Sequence, residues 1–327
     1  MQKIVIFGGG SGLSQILKGL KLFPVEVTAI VSAADNGGST GTLRKEFNIP
    51  AVGDISKVMV AMADTNRDII KLLNYRFEGE SSLTNHSIKN LILTALLDIK
   101  GDFTHAIPVM CKMFNIKGTI LPISEDYADL VGITDKKQKI IGEEQITKSK
   151  AKVIEVKYDK KVKANPKVLK AISEADLIIL SSGSLLTSIL PNIIIPEVKK
   201  ALDNAKAPIA YICNLVTQPG ETDGFMVSDH LDFINQHLSK KKVAIVIANN
   251  RQIDQELAQK YYTEEQKDPV VLDKENLRKM GIEIIDDSIY TIENGILRHD
   301  SLKTAYLIFS YLMRNEKWPI LLQLKKK

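Results

Sequence analysis

The chain has 327 residues, 44% of them hydrophobic, which is enough apolar mass for one large α/β domain or two smaller ones. Its longest apolar stretch, 88–99, is broken by Lys89, Asn90 and Thr94 and falls short of the ~20 residues a membrane span needs, so no membrane span is expected. The net charge of +5 is local: residues 135–170 hold twelve Lys against five acidic residues without interleaved aromatics, which predicts solvated hairpin strands and loops rather than a nucleic-acid groove. A strand begins within three residues of Met1 with no apolar leader before it, and Cys111 and Cys213 lack CxxC spacing. The expectation is a cytoplasmic protein with reduced, structural thiols.

Apolar, β-branched runs that end in turn residues predict buried strands at 3–7, 26–31, 119–121, 177–180, 209–213 and 243–248. Helical spacing predicts helices at 13–21, 55–63, 68–77, 87–99, 166–173, 193–202, 228–238 and 301–314. This alternation implies a largely parallel sheet covered on both faces. Residues 124–163 alternate polar and apolar side chains around Gly132 and Gly142 and read as an antiparallel β insertion. With no Pro/Ser linker in sight, 1–327 is read as a single domain, with 315–327 a basic tail ending in Lys325, Lys326 and Lys327.

In open parallel sheets, ligands collect beyond the carboxyl ends of the strands. Polar loops fall at four such ends. Gly8, Gly9, Gly10, Ser11 and Gly12 follow the first strand; Asp35, Asn36, Gly37, Gly38 and Ser39 follow the second. Gly183 and Ser184 lie in the loop after 177–180, and 214–222 follows the next strand. Glycines there would permit positive φ and let backbone N–H groups approach a phosphate, aided by the positive end of the first helix. A tight strand-to-helix turn is the plain alternative for the first loop. It has neither the standard dinucleotide spacing nor a P-loop lysine, which argues against a common dehydrogenase or NTPase. Asp35 and Asp54 are candidate ligands for magnesium on a substrate phosphate, with Asp54 equally readable as a helix N-cap. His86 and Asn90, one helical turn apart, could hold a ligand hydroxyl or phosphate, or form a capping cluster. His105, His230 and His237 read as structural or surface residues.

Together, GGGSGLSQILKGLK, TAIVSAADNGGSTGTLRKEF, PAVGDISKVMVAMA, LTNHSIKNLILTAL, SGSLLTSILPN and YICNLVTQPGETDGFMVSDH resemble the YvcK-type gluconeogenesis factors of the CofD-like (UPF0052) superfamily. The resemblance implies a Rossmann-like three-layer αβα fold and a bacterial regulator that binds a nucleotide-sugar, UDP-N-acetylglucosamine. It also implies roles in carbon metabolism, cell-wall precursor supply and cell shape, exerted through a protein partner, with a homo-oligomer compatible. By position, it assigns Asn214, Thr217, Gln218 and Glu221 to the sugar or pyrophosphate, and Arg298 to a segment that closes over the nucleotide or regulates it. The superfamily's enzymatic branch is a magnesium-dependent 2-phospho-L-lactate transferase acting on a nucleotide-activated donor. Its proline- and aspartate-rich signature is not matched at 50–57, and Asn36 stands where aspartate is usual. Thr42 replaces a common arginine, and Ser181-Ser182 a common Gly-Pro. Ser301 reads as a helix cap rather than a kinase target.

Overall fold

The computed structural model describes residues 1–315; the basic stretch 316–327 lies outside the described residues. Twelve strands occur among the described residues: β1 (Gln2–Gly8), β2 (Val25–Val31), β3 (Thr119–Pro122), β4 (Leu130–Thr134), β5 (Lys139–Ile141) and β6 (Val153–Tyr158), then β7 (Leu177–Leu180), β8 (Ile209–Ile212), β9 (Val243–Asn249), β10 (Glu283–Asp287), β11 (Tyr290–Glu293) and β12 (Ile296–His299). Seven of them form one sheet in the order β10-β9-β8-β7-β1-β2-β3, with every neighbouring pair parallel. From β1 the chain builds outward through β2 to β3, then returns to the other side of β1 with β7 and builds the opposite way. That reversal makes the crevice between β1 and β7 the place where flanking helices diverge and a ligand can enter.

Strand alternation explains the layers. Ile4, Ile6, Leu177, Ile179, Ala210 and Ile212 belong to one core cluster; Val5, Phe7, Ile178, Leu180 and Tyr211 belong to the other, on the opposite face. Both clusters are built from residues the apolar runs identify, so the three-layer αβα expectation holds. The helix Ser11–Leu20 packs against the final helix Ser301–Asn315, where a Cβ on Gly19 would run into the Ser301 carbonyl and lie 2.9 Å from the Ala305 Cβ. No helix among the described residues is long and apolar enough to cross a membrane.

Three expectations change in detail. The insertion is a three-stranded antiparallel sheet, β5-β4-β6, that also carries the helix Glu143–Lys148, and Leu130, Ile146, Val153 and Val156 join the main core. Residues 135–170 are therefore more than a solvated hairpin. The helix expected over 193–202 is two, Leu190–Ile193 and Pro196–Asn204, because Pro196 supplies no N–H to continue the first and is suited to start the second. Asp300, not Ser301, caps the last helix by accepting from the Lys303 amide at 2.9 Å.

Candidate functional site

A cleft of about 500 Å³ opens over the carboxyl ends of β1, β7 and β8. The loop after β1 contributes Ser11 and Gly12, the loop after β7 contributes Ser182, Gly183 and Ser184, and the loop after β8 contributes Asn214, Thr217 and Gln218. Arg298 on β12 borders it from the far side. These elements meet there because the sheet reverses direction at β1.

Close backbone approach makes the first loop glycine-rich. A Cβ on Gly12 would strike the Ser182 carbonyl, and one on Gly9 would lie 2.6 Å from Ser188 Oγ. The expected positive φ is absent at Gly8, Gly9, Gly10 and Gly12; in the two glycine loops only Gly38 has it, at 44°. The helix from Ser11 has no side-chain cap, and its first two residues, Ser11 and Gly12, line the cleft, which puts the positive end of its dipole at the rim.

Several side chains assigned to ligand contacts instead hold the rim together. Asn214 Oδ1 accepts from the Gly183 amide and its Nδ2 donates to the Gly183 carbonyl, both at 2.8 Å, while Gly183 takes a φ of 144°. Thr217 Oγ1 accepts from the Asp268 amide at 2.8 Å. Glu221 accepts from Ser184 Oγ at 2.7 Å and from the Leu185 amide; burial pushes its carboxyl up to about 7 against the effect of these bonds. The hairpin of β11 and β12 is fastened too: Gln15 Nε2 donates to the His299 carbonyl at 2.9 Å and to Glu293 Oε1 at 3.0 Å. His299 Nε2 donates to the Cys213 carbonyl at 3.0 Å, and burial pushes its imidazole down to about 4. Ser11, Gln218 and Arg298 keep side chains unclaimed by such bonds among the described residues.

The second glycine loop does not line this cleft. It becomes the helix Gly38–Phe47 and joins a polar nest beside the first loop. Ser39 Oγ lies 2.9 Å from His86 Nδ1 and accepts from Asn90 Nδ2 at 3.2 Å, and Asn90 Oδ1 accepts from Ser56 Oγ at 2.6 Å. His86 and Asn90 do converge, on Ser39. Asn36 Oδ1 accepts from the Glu144 amide at 3.0 Å, fastening the loop to the insertion. Asp35 Oδ1 accepts from the Gly37 amide at 3.0 Å. Asp54 is no cap: its helix, Gly53–Met62, starts a residue earlier, and its carboxylate meets Lys57 Nζ at 3.0 Å and abuts Gly10.

Glu143, from the insertion helix, completes this acidic group. Burial, then the charge of Asp54, raises Asp35, while burial and both aspartates push Glu143 up to about 7. The Asp54 and Asp35 charges in turn hold Lys57 above its ordinary value. Hard oxygen donors in mutual repulsion suit a magnesium ion that takes its other ligands from water and phosphate. No three acidic, histidine or cysteine side chains among the described residues converge closely enough to form a complete metal site by themselves.

A family pattern described as 2-phospho-L-lactate transferase CofD matches residues 4–290. The chain belongs to the CofD family. It is 41% identical over 311 residues to the gluconeogenesis factor of Bacillus subtilis (strain 168), covering 95% of this chain and 98% of that one. It is 39% identical over 308 residues to the gluconeogenesis factor of Halalkalibacterium halodurans, covering 94% and 95%. A crystal structure described as a UPF0052 family member from Bacillus halodurans matches with a TM-score of 0.90 at 38% identity, covering 94% of this chain and 99% of that one. The resemblance read from the motifs is thus the family of the chain.

In this CofD family member, sequence reasoning missed Gln15, Tyr261, Lys267 and Leu297 on the cleft, and Lys57 and Glu143 beside Asp35. Gln15 was accessible, four residues after Ser11 on one helix face. Tyr261 and Lys267 come from the region of the helix Gln255–Glu265, whose polar sequence carries little periodic signal.

Proposed function

We propose that the protein is a nucleotide-sugar-binding regulator whose ligand is UDP-N-acetylglucosamine, acting as a gluconeogenesis factor in carbon metabolism, cell-wall precursor supply and cell shape. The observation that carries this reading is the cleft at the β1/β7 reversal. Its backbone approaches closely, a helix N-terminus faces it, and Arg298 is available, which together suit a diphosphate. Asn214 and Thr217 on its wall are bonded to neighbouring loops, burial pushes the Cys213 thiol beneath it far up, and burial pushes the His299 imidazole on its lining down to about 4. A regulator needs the ligand to stabilise one conformation that a protein partner recognises. Calorimetric titration with UDP-N-acetylglucosamine, UDP-glucose, NAD and GDP tests the reading. Binding of the first is expected, and its absence overturns the proposal.

Asp35 and Asp54, with Glu143 beside them, favour a second reading, a metal-assisted transfer from a nucleotide-activated donor of the 2-phospho-L-lactate type. Magnesium would be held by Asp35 and Asp54 and would supply charge neutralisation at the donor diphosphate. Lys57 holds Asp54 in place and balances the charge of the pair. Product formed from a guanylyl-activated lactyl donor, deazaflavin and magnesium would establish this reading, and an inert mixture counts against it.

A further inference from the structure

A second cleft, of about 700 Å³, lies between the helix Ser11–Leu20 and the helices Gly53–Met62 and Arg67–Asn74. Six basic side chains line it: Lys18, Lys21, Lys57, Arg67, Lys89 and Arg298. Two acidic residues also line it, Asp64 and Glu293. Asp64 pairs with Lys117 at 2.8 Å, outside the lining, and Glu293 accepts from Gln15. Lys57 is matched by Asp54. Among the described residues, the other five cations have no carboxylate within ion-pairing distance.

Lys89 is the strongest of these. It is only 6% exposed, and its ammonium donates to Asn74 Oδ1 at 2.5 Å, a neutral acceptor. Burial, with Arg76 and Lys57 nearby, pushes it down to about 8. A buried ammonium without a counter-charge is unfavourable, and an anion entering the cleft would remove that penalty. Ser14, also on the lining and 9% exposed, has a hydroxyl with no hydrogen-bond partner. An ammonium, guanidinium groups and a spare hydroxyl are the donors a phosphate monoester takes. Val60, Ala61 and Ile70 give the remaining wall an apolar face against which a sugar ring can rest.

We propose that this basic cleft is a second, separate binding site for a small phosphorylated sugar, next to the nucleotide-sugar cleft and touching it through Ser11, Gln15 and Arg298. Lys18, Lys21, Lys57, Arg67 and Lys89 line this cleft and not the first, so its charge does not depend on Arg298 or on what occupies the first cleft.

Calorimetry on the full chain at low salt tests it with glucose 6-phosphate, inorganic phosphate and glucose, each with and without saturating UDP-N-acetylglucosamine. Glucose 6-phosphate is expected to bind, inorganic phosphate more weakly and glucose not at all, with the nucleotide-sugar leaving the phosphate signal in place. Arg67→Gln and Lys89→Met should each lower glucose 6-phosphate affinity tenfold or more. Arg67 is exposed, so its variant keeps the test decisive even where Lys89→Met fails to fold. In Arg67→Gln, UDP-N-acetylglucosamine affinity should stay within twofold of the parent. Silence from both phosphorylated probes, binding indifferent to Arg67→Gln, or displacement by the nucleotide-sugar would each overturn the proposal. A failed nucleotide-sugar titration would count against the first cleft alone, because the phosphate titrations are also run without nucleotide.

Discussion

Glu143 brings a third carboxylate to a place that already holds two, and the consequence is a pH-dependent stability with a definite sign. Its carboxyl lies at about 7 in the fold, above the ordinary carboxylate range, so the fold binds its proton more tightly than the unfolded chain does. The contribution is present in full at low pH and is lost as pH rises from ~4.5 towards 7. Glu143→Gln should therefore leave the melting temperature near that of the parent at pH 5. At pH 8 it should stabilise by about 1–2 kcal/mol, because the Thr147 hydroxyl, now at 3.1 Å, keeps an oxygen to donate to. Magnesium bound by Asp35 and Asp54 would mask the same loss, so added magnesium should raise the parent's melting temperature more at pH 8 than at pH 5. Gly12 offers the opposite test, one of space. Gly12→Ala drives a methyl into the Ser182 carbonyl, and urea denaturation should show a loss of about 1–3 kcal/mol.

Between elements, Arg44 is a buried tie. It is 2% exposed, its guanidinium meets Asp129 at 3.0 Å and the Ala128 carbonyl at 3.2 Å, and it lies 4.4 Å from the centre of the Tyr127 ring. It thereby ties the helix Gly38–Phe47 to the segment leading into β4. Arg44→Met keeps the stem but leaves Asp129 unmatched, and a cost of about 2–3 kcal/mol is expected by chemical denaturation. Little of this was readable beforehand. Six of the seven strands of the main sheet were legible because they are continuous apolar runs, whereas β10, Glu-Ile-Ile-Asp-Asp, sits at a sheet edge and carries three charges. The helix Gly38–Phe47 was hidden because Gly38, Ser39 and Gly41 have turn propensity and only tertiary contacts hold them helical. Loop positions at strand ends were likewise legible, and Ser11, Gly12, Gly183 and Ser184 lie on the cleft as placed. Whether a rim side chain faces ligand or neighbour was not: Asn214 and Glu221 are polar loop residues in either case, and only the fold shows which atoms they meet.

At the scale of the molecule, the antiparallel insertion has ends that meet. The Asp129 amide donates to Asp159 Oδ1 at 3.0 Å, and the Asp159 amide donates to the Asp129 carbonyl at 2.9 Å. Excision at that point is easy to connect with a short glycine-serine turn. The excised chain should nonetheless lose its cooperative thermal transition, since Leu130, Ile146, Val153 and Val156 sit in the same core cluster as Phe7 and Leu180. A sharp calorimetric transition from the shortened chain would mean the insertion is an accessory.

The paired amide contacts between Asn214 and Gly183 have a kinetic corollary. They lock the loop after β7 to the loop after β8 without help from any ligand, so the mouth of the cleft is shaped in advance. Stopped-flow mixing with a nucleotide-sugar should then give single exponentials whose observed rate climbs linearly with concentration, without the plateau that a slow opening step imposes. Asn214→Ala frees the two loops from each other, and that plateau should emerge.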